Sequence, residues 1–251
     1  MSTVDYAVRD SVATITLNSP RRRNALSAEL LTQLRAHLDT AEGDRGVRTV
    51  VLSHTGPVFC SGMDLTTVAD VPAADQPITA FPVLLQRLWE FGKPVIARVD
   101  GKARAGGIGL IAACDLAIAA GHADFAFTEV RLGLVPAVIS VPMLPQVLPR
   151  AALELCLTGE VFSASRAREI GLLSVVTESL DDEIARYAAM LRLGEPAALA
   201  ATKAMLRRDR SGVSMAADFA AMSQLSAGHF ASPEAAEGIA AFSEKRPPSW
   251  A

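Results

Sequence analysis

Cysteine and histidine are both scarce in this sequence of 251 residues, and their scarcity argues against two kinds of site. The cysteines are three in number (Cys60, Cys114 and Cys156), and no two of them form a CxxC pair. An odd count without paired spacing predicts neither a disulfide framework nor a zinc site. The four histidines lie far apart and include no HExxH pattern, so we expect no resident metal.

Net charge and long apolar runs are lacking as well. The formal net charge is −3, which provides no basic field for nucleic acid or an anionic membrane. The opening MSTVDYAVRD has neither the basic start nor the apolar core of a signal peptide, and no apolar run is long enough to span a bilayer. We therefore expect a cytoplasmic protein without nucleic-acid or membrane partners.

Short apolar runs alternate with helical patterns through the first three quarters of the chain. Four runs have the apolar, β-branched character of strands: residues 12–17, 49–52, 94–99 and 116–119. After the first of them, Ser27 is a predicted N-cap, and four leucines share the following helical face: Leu30, Leu31, Leu34 and Leu38. This alternation predicts an α/β core with crossover connections.

The composition changes after residue 195. The rest of the chain is rich in alanine and other helix formers, with predicted caps at Ser214 and Ser232 and no strand candidate. We therefore divide the chain into an α/β core over residues 1–195 and a helical C-terminal region over residues 196–251.

Two glycine-bearing segments each follow a predicted strand. They read FCSGMDL at residues 59–65 and DGKARAGGIGL at residues 100–110. Glycines between a strand and a helix let the backbone approach a ligand and leave N–H groups pointing outward, at the positive end of the helix. Two N–H groups aimed at one oxygen form an oxyanion hole, where each donor stabilises the transition state by roughly 2.7–4 kcal/mol. Each segment alone is also compatible with a tight turn, and neither matches GxGxxG or a serine-hydrolase elbow.

A third segment, AFTEVRLGLVP at residues 126–136, places Glu129 among apolar neighbours. Burial there would raise the pKa of its carboxyl toward the range useful for proton transfer. A buried pair between Glu129 and Arg131 or another cation is an equally good interpretation of the same pattern.

Four other polar or reactive residues near these segments are interpreted as structural. Cys60 and Cys114 are expected to be buried, reduced cysteines that behave as small apolar residues. Asp115, directly before a predicted buried strand, is expected to cap or pair structurally. His54 is assigned to a surface loop.

In order and spacing, these segments resemble the enoyl-CoA hydratase/isomerase (crotonase) family. The resemblance covers nearly the whole chain and rests on five collinear motifs: PRRRNAL at 20–26, FCSGMDL at 59–65, AGGIGL with AACDLA at 105–117, EVRLGLVP at 129–136 and EGIAAFSEKR at 237–246. It implies an α/β fold, the crotonase (ClpP-like) spiral of ββα units. It also implies that the helical C-terminal region drives assembly into a homotrimer or a dimer of trimers.

The resemblance also implies a site. The substrate would be an acyl-CoA thioester, so that coenzyme A belongs to the substrate and no cofactor is required. The backbone N–H groups of Met63 and Gly106 would form the oxyanion hole, and Glu129 would be the catalytic carboxylate. The substrate-binding residues would be Arg21, Arg22, Arg23, Ala25, Ser61, Asp64, Leu65, Gly107, Gly109, Leu132, Pro136 and Lys245.

Two positions depart from the pattern of the family. Gly109 stands where well-known hydratases have the first of two glutamates, and Thr66 stands where many members have a lysine that helps to hold the CoA 3′-phosphate. The motifs look most like those of bacterial hydratases of the methylglutaconyl-CoA type. The leading hypothesis is reversible hydration of a 2-enoyl-CoA. The alternatives are a 3-enoyl-CoA to 2-enoyl-CoA isomerase and a non-catalytic acyl-CoA-binding protein.

Overall fold

The computed structural model describes residues 2–64, 77–207 and 214–250, which form ten strands and ten helices. The strands are β1 (Val4–Arg9), β2 (Val12–Leu17), β3 (Thr49–His54), β4 (Val58–Cys60), β5 (Val95–Val99), β6 (Lys102–Arg104), β7 (Leu116–Ala120), β8 (Asp124–Ala126), β9 (Phe162–Ser163) and β10 (Val175–Thr177). The helices are α1 (Ala28–Gly43), α2 (Pro77–Trp89), α3 (Gly106–Ala113), α4 (Ala137–Met143), α5 (Pro149–Thr158), α6 (Ala164–Glu169), α7 (Leu180–Arg192), α8 (Pro196–Leu206), α9 (Met215–Phe230) and α10 (Pro233–Glu244). None of these described helices is both long enough and apolar enough to cross a bilayer.

The strands form two sheets that the chain visits in turn. A six-stranded sheet has the order β1-β2-β3-β5-β7-β10, and a four-stranded sheet has the order β4-β6-β8-β9. The pairs β1–β2 and β8–β9 are antiparallel and the other neighbours are parallel, which requires crossover connections. The chain runs β3-β4-α2, then β5-β6-α3, then β7-β8 and on into α4. This repeated strand–strand–helix unit is the spiral α/β core that the sequence predicts.

The four predicted strands are all present, as β2, β3, β5 and β7. β2 has the predicted bounds, whereas β3 continues two residues further, to His54. β1 is not among the predicted strands. Val4, Tyr6 and Val8 do alternate in it, but Val4 is its one buried residue. The strand is held instead by a continuous antiparallel pairing with β2 from Val4↔Leu17 to Arg9↔Val12.

Helix α1 begins and packs as predicted. The Ser27 side chain accepts a hydrogen bond from the Leu30 N–H at 3.2 Å, which satisfies one of the orphan donors of the first turn. The four leucines of its predicted face are buried: Leu30, Leu31, Leu34 and Leu38. They join Ile15 of β2 and Leu52 of β3 in the main hydrophobic core, so α1 covers one face of the six-stranded sheet.

The described residues beyond 195 form the three helices α8, α9 and α10. Helix α8 is fastened to the core by Asp115, which pairs with Lys203 (Nζ–Oδ2 2.7 Å) and Arg207 (Nη2–Oδ1 2.9 Å). Asp115 also accepts a hydrogen bond from the Val95 N–H at 2.7 Å, which confirms its structural role. Helix α9 packs on α2 and α4. The division at residue 195 and the assembly into trimers stay predictions.

Candidate active site

A cavity of about 90 Å³ lies where the start of α3, α4 and α9 meet the 3₁₀ turn Glu129–Leu132. Most of its wall is apolar, with Phe81, Leu134 and Ile139 among the contributors. Six of the residues predicted from the sequence line it: Ser61, Met63, Gly106, Glu129, Leu132 and Pro136. The fold thus brings the three predicted catalytic positions into one mostly apolar cavity, as small-molecule sites commonly are.

The Met63 peptide is turned away from its nearest parallel neighbour. The Leu26 N–H donates to the carbonyl oxygen of Gly62 at 2.8 Å, and the Asp64 N–H donates to the carbonyl oxygen of Leu26 at 3.3 Å. Leu26 therefore bonds to the residues on either side of Met63. Since successive residues of an extended chain point their N–H groups to opposite sides, the Met63 N–H points away from Leu26.

The Gly106 N–H is free of the helix that it begins. As the first residue of α3 it has no intrahelical acceptor, and its N–H adds to the positive end of the helix. The preceding Ala105 has φ 46° and ψ −115°, a conformation that residues with a β-carbon rarely adopt. Such a conformation costs about 1–3 kcal/mol and is typical of functional sites. A β-carbon on Gly106 would lie 2.7 Å from Leu26 Cδ1, so a larger residue here would have to displace the Leu26 side chain.

The two donor segments are in direct contact. A β-carbon on Gly62, whose φ is +91°, would lie 3.1 Å from Ala105 Cβ and 3.6 Å from the Gly106 nitrogen. The turn that presents Met63 therefore packs against the turn that presents Gly106. This arrangement places two backbone N–H groups beside one cavity, as an oxyanion hole requires.

Glu129 is the buried carboxylate of the cavity. Its side chain is 9% exposed, and its Oε2 atom has no hydrogen-bond partner among the described residues. Burial raises the pKa of the Glu129 carboxyl to about 7. The alternative pairing is absent: Arg131 is exposed, and its Nη2 donates to the carbonyl oxygen of Thr158 at 3.4 Å. Near neutral pH both protonation states of Glu129 are populated, so the group can accept and return a proton.

The position of the missing second glutamate is filled by an apolar residue. A β-carbon on Gly109 would lie 2.7 Å from Ile139 Cγ2 and 3.5 Å from Leu85 Cδ1. Ile139 itself lines the cavity, so the space into which a side chain at residue 109 would project is already occupied. Among the described residues of the cavity wall, Glu129 is the one carboxylate.

The arginine segment is fastened beside the strand that leads to Met63. The Ser61 N–H donates to the Arg23 carbonyl oxygen at 3.1 Å, and Arg22 pairs with the buried Asp64 (Nη2–Oδ2 3.2 Å). Buried Asn24 donates through Nδ2 to the carbonyl oxygens of Thr55 and Val58, at 3.1 and 2.8 Å. These bonds make one surface of the two segments that the resemblance assigns to coenzyme A.

The other predicted substrate-binding residues of these segments differ in how far they are exposed. Arg21, Arg22 and Arg23 are exposed, and Ala25 is half-buried. Leu65 and Thr66 lie outside the described residues. Gly107 packs behind the cavity, where a β-carbon would lie 2.6 Å from the Cys60 carbonyl oxygen.

Lys245 is not among the described residues that line the cavity. It is exposed and forms the left-handed C-cap of α10, with φ 54°. Its assignment to coenzyme A stays a prediction.

Helix α9 supplies two lining residues that sequence reasoning missed. Ser226 is buried, and its neighbour one helical turn on, Phe230, completes the wall. Within the alanine-rich sequence of α9, no pattern distinguishes Ser226 from the other small residues. Ser226 and Phe230 reach the cavity only because α9 packs against α2 and α4.

The assignment of His54 to a surface loop is wrong. His54 is the last residue of β3 and is 7% exposed. Its Nε2 accepts a hydrogen bond from the Asp100 N–H at 2.9 Å, and its ring lies edge-on to Phe59 with centroids 5.4 Å apart. The Gly56-Pro57 break indicates a loop, but β3 keeps pairing with β2 as far as Leu17↔His54.

Cys60 and Cys114 are buried as predicted. Burial raises the pKa of Cys60 and of Cys114 to about 12, so both thiols stay protonated and unreactive near neutral pH. Among the described residues no group of three or more histidines, cysteines or carboxylates has the arrangement of a metal site.

Comparison with known proteins gives one consistent match. The family model described as "Enoyl-CoA hydratase/isomerase" matches residues 7–251. A solved structure of an enoyl-CoA hydratase from Mycobacterium avium is similar with a TM-score of 0.88 and 41% identity, covering 100% of both chains. The 2,3-dehydroadipyl-CoA hydratase of Escherichia coli K12 is 34% identical over 253 residues, covering 100% of this chain and 99% of that protein. The mouse (Mus musculus) mitochondrial enoyl-CoA hydratase domain-containing protein 3 is 33% identical over 247 residues, covering 96% and 82%.

Proposed function

Because this chain belongs to the enoyl-CoA hydratase/isomerase family, we propose that it adds water reversibly across the double bond of a 2-enoyl-CoA thioester. The observation that carries the proposal is the buried Glu129 carboxyl, which shares one cavity with Met63 and Gly106. Relatives at 34% and 41% identity bear the name hydratase, which supports hydration over other reactions of the family.

The first role in the reaction belongs to the two backbone donors. The thioester carbonyl oxygen accepts hydrogen bonds from the Met63 and Gly106 N–H groups. These bonds strengthen as negative charge develops on that oxygen and the enolate forms. Each donor contributes roughly 2.7–4 kcal/mol, and the positive end of α3 acts in the same direction.

Glu129 moves the proton. The ionised carboxylate takes a proton from water as the water oxygen bonds to C3, and the C2–C3 π electrons move into the enolate. The protonated carboxyl then returns that proton to C2, the thioester carbonyl re-forms, and Glu129 is again ionised. With Ile139 filling the space beside Gly109, one carboxyl performs both steps. A pKa of about 7 suits it to both, since neither protonation state is strongly disfavoured.

The substrate is held at its two ends by different kinds of surface. The exposed arginines at 21–23 and the segment from Ser61 to Asp64 contact the coenzyme A moiety, which carries the phosphate charge. The apolar wall receives the acyl group. No cofactor takes part. A substrate of the methylglutaconyl-CoA type, assembly into a homotrimer or a dimer of trimers, and a cytoplasmic location belong to the same proposal.

A second candidate function is isomerisation of a 3-enoyl-CoA to a 2-enoyl-CoA. The observation that favours it is the filled space at Gly109, which leaves Glu129 as the one carboxylate among the described cavity residues. Moving a proton from C2 to C4 requires a single base, whereas hydration also requires a bound water. The same oxyanion hole would stabilise the dienolate.

The two reactions differ in whether oxygen from water enters the product. Purified protein would be incubated with paired 2-enoyl-CoA and 3-enoyl-CoA substrates in ¹⁸O water, and the products analysed by mass spectrometry. Uptake of ¹⁸O by the 2-enoyl substrate supports hydration. Isomerisation of the 3-enoyl substrate without ¹⁸O uptake would overturn hydration in favour of the isomerase. If several chain lengths bind and return unchanged, the protein is a non-catalytic acyl-CoA binder.

A further inference from the structure

The two strands that lead to Met63 and Gly106 are not in regular register. β4 and β6 pair in parallel through Val58↔Lys102 and Cys60↔Ala103, with a shift between the two pairs. β4 therefore has one residue more than β6 at this point, and that residue is Phe59. An irregularity of this kind disrupts the hydrogen-bond ladder locally, so other contacts must fix how the two strands sit along each other.

His54 makes contacts of that kind with both strands. Its ring lies edge-on to Phe59, with an interplanar angle of 77°. Its Nε2 accepts the N–H of Asp100, which begins the turn into β6. One buried imidazole thus touches the residue at the shift in β4 and the entry to β6. Phe59 lies four residues before Met63, and Asp100 lies six residues before Gly106.

The turn after Asp100 leaves little room for adjustment. A β-carbon on Gly101 would collide with the carbonyl oxygen of Pro57, which also accepts the Lys102 N–H at 3.2 Å. The segment before β6 and the segment before β4 are therefore packed backbone against backbone. A displacement of Asp100 would pass directly into the strand that ends at Arg104 and presents Gly106.

This contact requires a neutral His54 ring. Nε2 can accept an N–H only when it carries no proton, and burial lowers the pKa of His54. The charged groups near it are Arg98, which lowers that pKa further, and Asp100, which opposes the change. His122 faces the Asp100 carboxylate from the solvent side (Nε2–Oδ1 3.5 Å).

We propose that His54 is a positioning residue for the oxyanion hole, fixing the placement of the Gly106 N–H relative to the Met63 N–H by tying Asp100 to Phe59. The inference rests on the role proposed above for those two N–H groups. Donors of an oxyanion hole act at 2.7–3.1 Å, and a misplacement of about 1 Å costs on the order of 100-fold in rate.

The test compares two replacements of the ring. His54→Leu fills the space of the ring with an apolar side chain and removes the Nε2 acceptor. His54→Gln places an amide oxygen at about the reach of Nε2. The readout is the C=O stretching frequency of 2-butenoyl-CoA bound to each protein, measured by infrared difference spectroscopy. We expect binding to lower the C=O stretching frequency in the parent protein and in His54→Gln, and to lower it by clearly less in His54→Leu.

Kinetics provide the second readout. We expect kcat to fall roughly 10- to 100-fold in His54→Leu with KM within about threefold, and His54→Gln to recover most of the loss. His122→Leu is the matched control, because it removes an exposed imidazole that contacts Asp100 from the solvent side and should change neither readout. If His54→Leu does not fold, His54→Asn replaces it, since its shorter amide cannot reach the Asp100 N–H.

The outcomes separate this inference from the proposed function. A folded His54→Leu with the parent's carbonyl frequency and kcat overturns the positioning role alone. A loss in His54→Leu that His54→Gln does not restore also overturns the proposal in this form, since a hydrogen bond to the Asp100 N–H is then not enough to position Gly106. If binding to the parent protein leaves the carbonyl frequency unchanged, the oxyanion hole itself is wrong, and both proposals fail.

Discussion

The Cγ2 atom of Ile139 lies 2.7 Å from the point that a β-carbon on Gly109 would occupy. The two residues face each other across α3 and α4, and Ile139 also lines the cavity. The absence of a second carboxylate is therefore built into the packing of two helices. A side chain at residue 109 would require a different residue at 139.

Gly109→Ala should lower the free energy of unfolding by about 1–3 kcal/mol, because the added methyl group overpacks the contact with Ile139. Combining it with Ile139→Ala should cost less than the sum of the two single changes. Urea unfolding of the four proteins in this cycle measures the coupling. Gly228→Ala in α9 is the control: a β-carbon there meets nothing within 4 Å, so up to about 1 kcal/mol of stabilisation is expected. Additive costs at 109 and 139 would contradict the packing argument.

Glu129→Gln should reduce turnover by about 10²- to 10⁴-fold, because the amide cannot accept and return a proton. Binding of the acyl-CoA should change little, since Gln keeps the shape of the side chain. Steady-state kinetics and calorimetric titration measure the two quantities. Glu154→Gln, at an exposed glutamate of α5, should leave both at the parent's values. Near-normal turnover in Glu129→Gln would remove Glu129 from the mechanism.

The raised pKa of Glu129 makes stability depend on pH. The carboxyl has a pKa of about 7 in the folded protein, against 4.5 as its ordinary value. Folding favours the neutral form of the carboxyl. Its contribution to the stability of the folded protein is therefore present in full below pH 4.5 and is lost as pH rises through about 7. As pH rises from 4.5 to 8, the free energy of unfolding of Glu129→Gln should therefore increase relative to that of the parent by up to roughly 3 kcal/mol. Urea unfolding at both pH values tests this, and an equal difference at the two would contradict the buried, raised pKa.

Asp115→Ala should lower the free energy of unfolding by about 3–5 kcal/mol, because it leaves Lys203 and Arg207 partly buried beside each other without an anion. Thermal or urea unfolding gives the value. The comparison is Glu154→Ala, which breaks an ion pair with Arg166 whose partners are 45% and 42% exposed. That change should stay within about 1 kcal/mol. Equal costs for the two would show that Asp115 does not secure α8.

Much of the fold could be predicted because its strands bear the patterns that buried strands impose on a sequence. β2, β3, β5 and β7 lie inside the six-stranded sheet and are apolar for that reason. The strands of the second sheet have two or three residues each, too few for an alternation to be detected. Their existence follows from pairing with one another, which a linear pattern does not contain.

The same distinction applies to the site. Gly106 and Glu129 could be identified because the chemistry and the backbone geometry restrict which residue types can stand there. His54 and Ser226 could not, since each has its role through a partner far away in the chain: Asp100 for one, the cavity wall of α4 for the other. Gly109 in the sequence indicates that the first carboxylate is missing. Only the packing shows that Ile139 fills the space into which a side chain at residue 109 would project.

The contribution of α9 to the cavity has an evolutionary consequence. Ser226 and Phe230 shape the wall from a helix that carries neither the donors nor the carboxylate. Mutations in α9 can therefore change which ligand is accepted while leaving the reacting groups untouched. The part of the wall that α9 supplies is encoded in a stretch of the gene separate from Met63, Gly106 and Glu129, so natural selection or directed evolution can vary that part without changing those residues.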